Sequence, residues 1–232
     1  MAVTINGAST YTGGTFVANG GTLVVGSSTA LGTGMLTMGQ VFTDHTTLVL
    51  DGNGLNIGNT IVINSDPVVT VAAGTTNTIS GPISGAGDIV LNGGGTLILS
   101  GANTYTSGTT ICGTACGAVG GSSVLQVGVD TVGTVGALTS SAIGTGTLTF
   151  DGGTLQAGGN YTIANTAQIS ATGASTRHRA RPTIRRADVQ RRPGTAEHPV
   201  DAPHGNRSTG CSRVEARRAA WLRAEPVLNV TP

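Results

Sequence analysis

The chain contains no lysine, and all twelve of its arginines lie after residue 176. Residues 1–176 also contain no glutamate, so their charged side chains are six aspartates, a formal charge of −6 with histidine neutral. A nucleic-acid-binding surface is built mainly from basic side chains. This part of the chain therefore excludes such a surface, and the near-neutral total of +1 hides two unlike segments.

Aromatic residues make up only 3% and charged residues only 10% of the chain, both far below the usual share in globular proteins. The small number of aromatic residues excludes a core built around large rings. No apolar run approaches the roughly 18 residues of a membrane-spanning helix, so the sequence predicts no membrane span. The chain is instead rich in small and β-branched residues, with 38 glycines. This composition favours many short strands joined by tight turns, and it disfavours helix.

Short strand-like units recur along residues 1–176, each ending in glycine or asparagine turns. The segment Ser9–Thr15 returns as Asn103–Thr109, and Ala30–Gly34 returns as Ala142–Gly146. A Gly-Thr-Leu unit recurs in the stretches Gly21–Val25, Gly95–Leu99 and Gly146–Phe150. Strand units about 20–25 residues apart, inside a larger period of about a hundred, are typical of a solenoid. We predict a right-handed parallel β-helix of about 7–8 coils and about 35 Å in length.

The most specific part of this pattern is the segment at 95–110, which reads GTLILSGANTYTSGTT. Together with Ile83–Asp88 before it, this segment resembles the autotransporter-associated β-strand repeat. Val124–Gly128 and Thr154–Gly158 are similar to the closing element of that repeat, and the resemblance covers roughly residues 5–175. One departure is Asn92, which stands where the family usually has lysine.

The resemblance implies a passenger domain of a bacterial surface protein, folded as a β-helix and exported through a C-terminal outer-membrane barrel. It implies a structural role in adhesion or as a stalk, at the cell surface or outside the cell, with an unknown host or cell-surface glycan or protein as the ligand. The N-terminus has neither a basic region nor an apolar core of a signal peptide. The chain ends at Pro232, where such barrels end in an aromatic residue. The sequence therefore predicts a passenger fragment, which taken literally would stay in the cytoplasm.

Residues 177–232 form a second segment with a different composition, which includes twelve arginines, six of the eight prolines and Trp221. An abrupt change to Arg, Ala, Pro and His without lysine is typical of a shifted reading frame in a GC-rich gene, and this is the interpretation that we favour. The alternatives are a genuine disordered tail and a basic arm that binds nucleic acid. The predicted division is thus a β-solenoid over 1–176 and a low-order tail over 177–232.

Cys112 and Cys116 are spaced C-x₃-C in what reads as a loop insertion of the second repeat. Zinc ribbons use C-x₂-C pairs and need a second pair, which does not follow. A disulfide between Cys112 and Cys116 suits an exported protein and is the favoured prediction. Free thiols and a metal site are the alternatives.

The remaining candidates for chemistry are few. Asp51-Gly52 and Asp151-Gly152 follow strands, where aspartate and glycine make turns, and they are predicted to lie several coils apart. The stretch Asp51–Ile57 only faintly resembles a calcium-binding repeat. Asp44 and His45 are predicted to be a surface loop pair rather than a catalytic dyad.

The main enzyme alternative is a carbohydrate-active β-helix protein such as a polysaccharide lyase. Such lyases use a basic residue to take a proton, and residues 1–176 have no lysine or arginine for this role. We therefore predict no enzyme, no catalytic residues, no cofactor and no metal.

Overall fold

The structure, a computed structural model, describes residues 1–41, 43–118, 120–170 and 228–230. The strands are, in chain order, β1 (Ala2–Ile5), β2 (Thr15–Val17), β3 (Thr22–Val25), β4 (Leu36–Met38), β5 (Thr47–Leu50), β6 (Asn56–Ile57), β7 (Ile61–Ile63), β8 (Val68–Val71), β9 (Thr76–Ile79), β10 (Ile83–Ser84), β11 (Asp88–Asn92), β12 (Thr96–Leu99), β13 (Gly108–Cys112), β14 (Val124–Val127), β15 (Val132–Thr134), β16 (Ala137–Ser140), β17 (Thr147–Asp151), β18 (Thr154–Ala157), β19 (Tyr161–Ile163), β20 (Ala167–Ile169) and β21 (Leu228–Val230). Among the described residues the only helix is one 3₁₀ turn, Thr114–Cys116, so none could span a membrane.

Three parallel sheets form the walls of a solenoid. Sheet A has eight strands in the order β1-β3-β5-β8-β11-β13-β17-β20, sheet B has the order β10-β7-β4-β2, and sheet C has the order β18-β14-β12-β9-β6. In the two turns from β5 to β11 the chain passes from A to C to B and back to A; before β5 the strands of A alternate with strands of B, and after β11 they alternate with strands of C. Each turn stacks on the one before. The predicted parallel β-helix is confirmed, with about eight turns and almost no helix.

Side chains alternate between the interior and the outer surface along most of these strands. In sheet A, Leu23 pairs with Leu48, Leu48 with Val69, and Val69 with Leu91, and all four are buried. Such columns of Leu, Ile and Val fill the interior from coil to coil, because one coil alone has nothing to cover its apolar side. Threonine and valine occupy many of the positions between them, on the outer face.

The sequence repeat changes walls between its two copies. Strands β1, β2, β3 and β4 return as β12, β13, β14 and β17. The pairing β1/β3 in sheet A becomes β12/β14 in sheet C, and β2/β4 in sheet B becomes β13/β17 in sheet A. The 94 residues from the start of β1 to the start of β12 cover four turns and one additional wall. The second copy is therefore displaced by one wall, while its local pairing is preserved.

Buried asparagines complete the turns between the walls. Asn103 is fully buried; its Oδ1 accepts the backbone N–H of Ile83 at 2.8 Å, and its Nδ2 donates to the carbonyl of Ala142 at 2.6 Å. Asn59 donates to Gly34 O at 2.7 Å, and Asn165 donates to Gly146 O at 2.8 Å. These bonds satisfy carbonyls that the sheet ladders leave unpaired, which a buried turn requires.

The tyrosines of the two repeat copies make the same local bond in different surroundings. The hydroxyl groups of Tyr105 and Thr109 lie 2.5 Å apart, and those of Tyr11 and Thr15 lie 2.6 Å apart. Tyr105 is fully buried, and burial raises the pKa of its hydroxyl, whereas Tyr11 in the first turn is partly exposed. The turn of Ala142–Gly146 packs directly on Tyr105, since a Cβ at Gly144 (φ +70°) would lie 2.5 Å from the tyrosine carbonyl oxygen.

The predicted boundary at 176/177, and Trp221 and the arginines beyond it, lie outside the described residues. Of the segment 177–232 the structure describes only β21, which pairs antiparallel with β19 through residues 161–163 and 228–230. The prediction of a low-order or frameshifted tail is therefore not tested.

Candidate functional site

One coil of the solenoid is much longer than the others. The strands of sheet A start 20–25 residues apart along the chain, except that β17 starts 39 residues after β13. Because the stacking of sheet A continues unbroken from β13 to β17, the additional residues must leave the wall as loops. We call residues 108–146 the enlarged coil.

The first loop of the enlarged coil joins β13 to β14 and carries both cysteines. Cys112 ends β13 and is buried, and the 3₁₀ turn Thr114–Cys116 brings Cys116 back to it. The structure joins the two sulfur atoms in a disulfide, with Cα atoms 5.5 Å apart. Asn92, where the family pattern has lysine, donates from Nδ2 to the Gly117 carbonyl of this loop at 3.3 Å. The loop is thus held against the neighbouring coil, and the predicted disulfide becomes a proposal that we test below.

The second loop of the enlarged coil is a hairpin formed by β15 and β16. It has a register shift at Val132/Gly133, and the side chains of Val132 and Val135 are more than one third exposed. Between the hairpin and the wall lies a groove of about 310 Å³. The groove is lined by small, uncharged residues: Gly136, Ala137, Leu138, Thr145, Gly146, Thr147, Ala164 and Thr166. It offers backbone groups, hydroxyls and methyl groups to a ligand, but no acid or base.

Three ionisable residues form a column on sheet A, at the same register position of three consecutive coils. His45 precedes β5, Asp66 precedes β8, and Asp88 begins β11, and the strand registers place them one above another. The backbone N–H of Asp88 donates to Asp66 Oδ1 at 3.2 Å. His45 is exposed, whereas Asp88 is only partly exposed and its Oδ1 is buried without a hydrogen-bond partner. We call these residues the acidic column.

Burial is the main cause that raises the pKa of Asp88, to about 6, and the charge of Asp66 and the side-chain hydrogen bond to Asp66 act in the same direction. His45 lowers it slightly. The loop aspartate Asp44 shows the opposite behaviour: its pKa is lowered, chiefly because its carboxylate accepts the backbone N–H of Gln40 at 2.9 Å. The carboxyl group of Asp88 therefore takes up a proton closer to neutral pH than an ordinary aspartate does.

The acidic column does not have the geometry of a glycosidase. Two catalytic carboxyl groups of such enzymes lie about 5–5.5 Å or about 6.5–9.5 Å apart, with the sugar between them. Asp66 and Asp88 instead bond to each other on adjacent strands. Among the described residues no three His, Cys, Asp or Glu side chains converge on a point where they could hold a metal ion.

The other candidate residues predicted from the sequence do not form a common site. Asp51 follows β5 and Asp151 ends β17, which is four strands further along sheet A. Asp44 and His45 are neighbours in a loop. Sequence reasoning missed the pairing of Asp66 with Asp88, although their separation of 22 residues, one coil, and their equal distance from the strands at Val68 and Val90 were visible in the sequence.

Comparison with known proteins identifies one family. The passenger-associated-transport-repeat family matches the chain at residues 2–25 and again at residues 89–113. The first match contains β1, β2 and β3, and the second contains the strands from β11 to β13. Searches of curated proteins and of solved structures return no match. Two copies of this repeat, carried on the parallel solenoid described above, support an autotransporter passenger-repeat protein.

Proposed function

We propose that this protein is a non-catalytic, surface-displayed passenger segment in which the solenoid is a stalk and the hairpin of the enlarged coil makes the adhesive contact. The observation that carries the proposal is the 39-residue spacing between β13 and β17 in a rod whose other coils repeat every 20–25 residues. A rigid scaffold that presents loops is the usual arrangement of binding proteins, because loops can vary without disturbing the core.

The chemistry of the enlarged coil favours a protein ligand over a glycan. Sugar-binding sites commonly use an aromatic ring as an apolar platform, and no aromatic residue lines the groove. The hairpin instead offers two short strands that, among the described residues, pair only with each other, and no charged side chain lies between Thr131 and Phe150. An extended peptide that adds to such an edge is bound through backbone hydrogen bonds and small pockets. A surface glycan is the alternative outcome of the test.

The experiment removes the hairpin by using the short version that the chain already contains. In the first repeat, Gly26 and Thr29 are separated only by Ser27-Ser28, and Thr29 O accepts the N–H of Ser9 as Ser141 O accepts that of Asn103. Replacing residues 129–140 with Ser-Ser should therefore keep the turn. Binding of the full chain to immobilised extracellular-matrix proteins and to a panel of surface glycans is compared before and after the replacement.

We expect the shortened protein to lose at least tenfold in binding while its far-ultraviolet circular dichroism stays that of a β-solenoid. The matched control shortens the other loop, by replacing residues 112–122 with the Ala-Asn-Gly of positions 18–20, and should bind as the parent does. Unchanged binding after hairpin removal would refute the adhesive role of the hairpin. If the parent binds neither class of ligand, adhesion is wrong and only the stalk role is left.

Absence of catalysis is part of the same proposal. It rests on the hydrogen-bonded acidic pair, the uncharged groove and the lack of lysine and arginine before residue 177. Incubation with pectin-like and neutral polysaccharides, followed by assays for reducing ends and unsaturated products, tests it. Turnover that disappears in Asp66→Asn would establish a carbohydrate-active enzyme instead. The family also supports display at the cell surface or outside the cell, which protease accessibility on intact cells would test.

A further inference from the structure

The carboxyl groups of Asp66 and Asp88 meet across the contact between two coils. Val68 pairs with Val90 in the ladder between β8 and β11, and each aspartate stands two residues before its valine. The N–H of Asp88 donates to Asp66 Oδ1 at 3.2 Å, so the lower carboxyl group lies directly under the start of the upper strand. The close approach of the backbones here is enforced at Gly87, where a Cβ would collide with the carbonyl oxygen of Ser65.

The part of the chain that the structure describes contains no lysine or arginine that could neutralise this pair. Residues 1–176 contain no lysine or arginine, and Asp88 Oδ1 is buried without a hydrogen-bond donor. On the side of β13 the next position of the column is Gly108, which has no side chain. On the other side His45 lies beyond Asp66, and Asp44 beside it is a further acid. A buried carboxylate oxygen without a donor is costly, and a second negative charge beside it increases that cost.

We propose that Asp66 and Asp88 share one proton and form an acid-stabilised clasp between two neighbouring coils. A proton taken from solvent binds the Asp88 carboxylate, and the resulting O–H donates to the carboxylate of Asp66. No other bond forms or breaks. The proton replaces the missing cation, because it removes one of two adjacent negative charges and turns their repulsion into a hydrogen bond.

The pKa of Asp88, raised to about 6 by burial and then by Asp66, supports this assignment. His45 acts weakly against it, and the buried Tyr105, whose own pKa is raised, stays neutral. In the unfolded chain the ordinary value is 3.8. The folded state therefore holds the proton more tightly, and the stabilisation from the clasp is complete below pH 3.8 and is lost as the pH rises through about 6. The clasp would strengthen the solenoid in a mildly acidic medium.

The test compares urea unfolding of the full chain at pH 4.5 and pH 7.5. A shift from 3.8 to about 6 would change the unfolding constant by roughly 27-fold between these two pH values, and solvent screening reduces this to about fivefold. In Asp88→Asn the amide can still donate to Asp66 but no longer titrates. We expect this variant to lose the fivefold change of the unfolding constant between pH 4.5 and pH 7.5. Asp51→Asn, a change of an exposed turn aspartate with the same loss of charge, should keep it.

A second measurement observes the shared proton directly in the parent chain. Carbon-13 NMR of the parent chain labelled at the aspartate carboxyl carbons should show one carboxyl group that titrates near pH 6 and that vanishes or moves in Asp66→Asn. The clasp is refuted if no aspartate titrates between pH 5 and pH 7. It is also refuted if the unfolding constant of Asp88→Asn changes with pH as much as that of the parent.

Discussion

Leu97 is the residue at which the solenoid interior can be tested most directly. Its side chain is fully buried, and the register places it between Asn77 of β9 and Leu125 of β14, which are both fully buried. Leu97→Ala removes three carbons from a closed interior and should cost about 2–5 kcal/mol. With a urea m-value of about 2 kcal/mol/M, the unfolding midpoint should fall by about 1–2.5 M. Leu97→Asp adds the burial of a carboxylate and should unfold the neighbouring coils.

The neighbouring Ile98 provides the matched control for this experiment. It lies on the same strand but points to the outer face and is only partly buried. Ile98→Asp should therefore cost about 1 kcal/mol or less. Far-ultraviolet circular dichroism and limited proteolysis of the three variants measure the difference. If Leu97→Asp keeps the spectrum and the protease resistance of the parent, or if both aspartate variants lose the same stability, the parallel stacking described above is wrong.

Three further predictions concern single bonds, one set between coils and two within a turn or loop. Asn103→Ala should cost about 2–4 kcal/mol in urea unfolding, because it leaves the N–H of Ile83 and the carbonyl of Ala142 buried without partners. Tyr105→Phe should cost about 1 kcal/mol, which is the usual net value of one hydrogen bond, and a larger loss would mean that the ring has moved. In protein exported to an oxidising compartment, mass spectrometry after alkylation should find that Cys112 and Cys116 do not react. Their joint replacement by serine should lower the free energy of unfolding by no more than about 2 kcal/mol, because the closed loop is short. Two alkylated thiols in the unreduced protein would contradict the disulfide.

Much of the fold could be predicted from the sequence because solenoids repeat local information. Leu97 and Leu99 are two residues apart in a short strand, which puts them on one face, and both are fully buried. The coil length of 20–25 residues is confirmed for six of the seven steps along sheet A. The parallel solenoid follows from these two facts, since the strands are too short and too evenly spaced for another way to bury them.

The displacement of the second repeat by one wall could not be predicted from the motifs alone. The motif of Tyr11 and that of Tyr105 are nearly identical, yet one precedes a strand of sheet B and the other a strand of sheet A. The strands of all three walls have the same alternation of apolar and small residues. The sequence of a motif therefore does not show to which wall it belongs. Only the number of residues per turn decides this, and that number is fixed by tertiary stacking.

The repeated sequence motifs do not indicate the pair Asp66 and Asp88, because the aspartates that these motifs contain are those of Asp51-Gly52 and Asp151-Gly152. In the structure Asp51 follows β5, whereas Asp151 ends β17 and Gly152 forms a bridge with Cys112, and the two sites lie four strands apart in sheet A. In a solenoid, contact depends on one coil length rather than on similarity of sequence. A search for ionisable residues separated by 20–25 positions would have found the pair at a separation of 22.

The sequence separations between equivalent residues of the two repeat copies also locate the enlarged coil, and they bear on its proposed adhesive role. Tyr11 and Tyr105 are 94 residues apart, Leu23 and Leu125 are 102 apart, and Ala30 and Ala142 are 112 apart. The growing offset means that the second copy contains two insertions, of eight and ten residues, that the first copy lacks. The structure places them in the cysteine loop and in the hairpin, both outside walls whose stacking is unchanged. Because the scaffold gains no buried contact from additional length in a loop, the insertions are best explained by what they present at the surface.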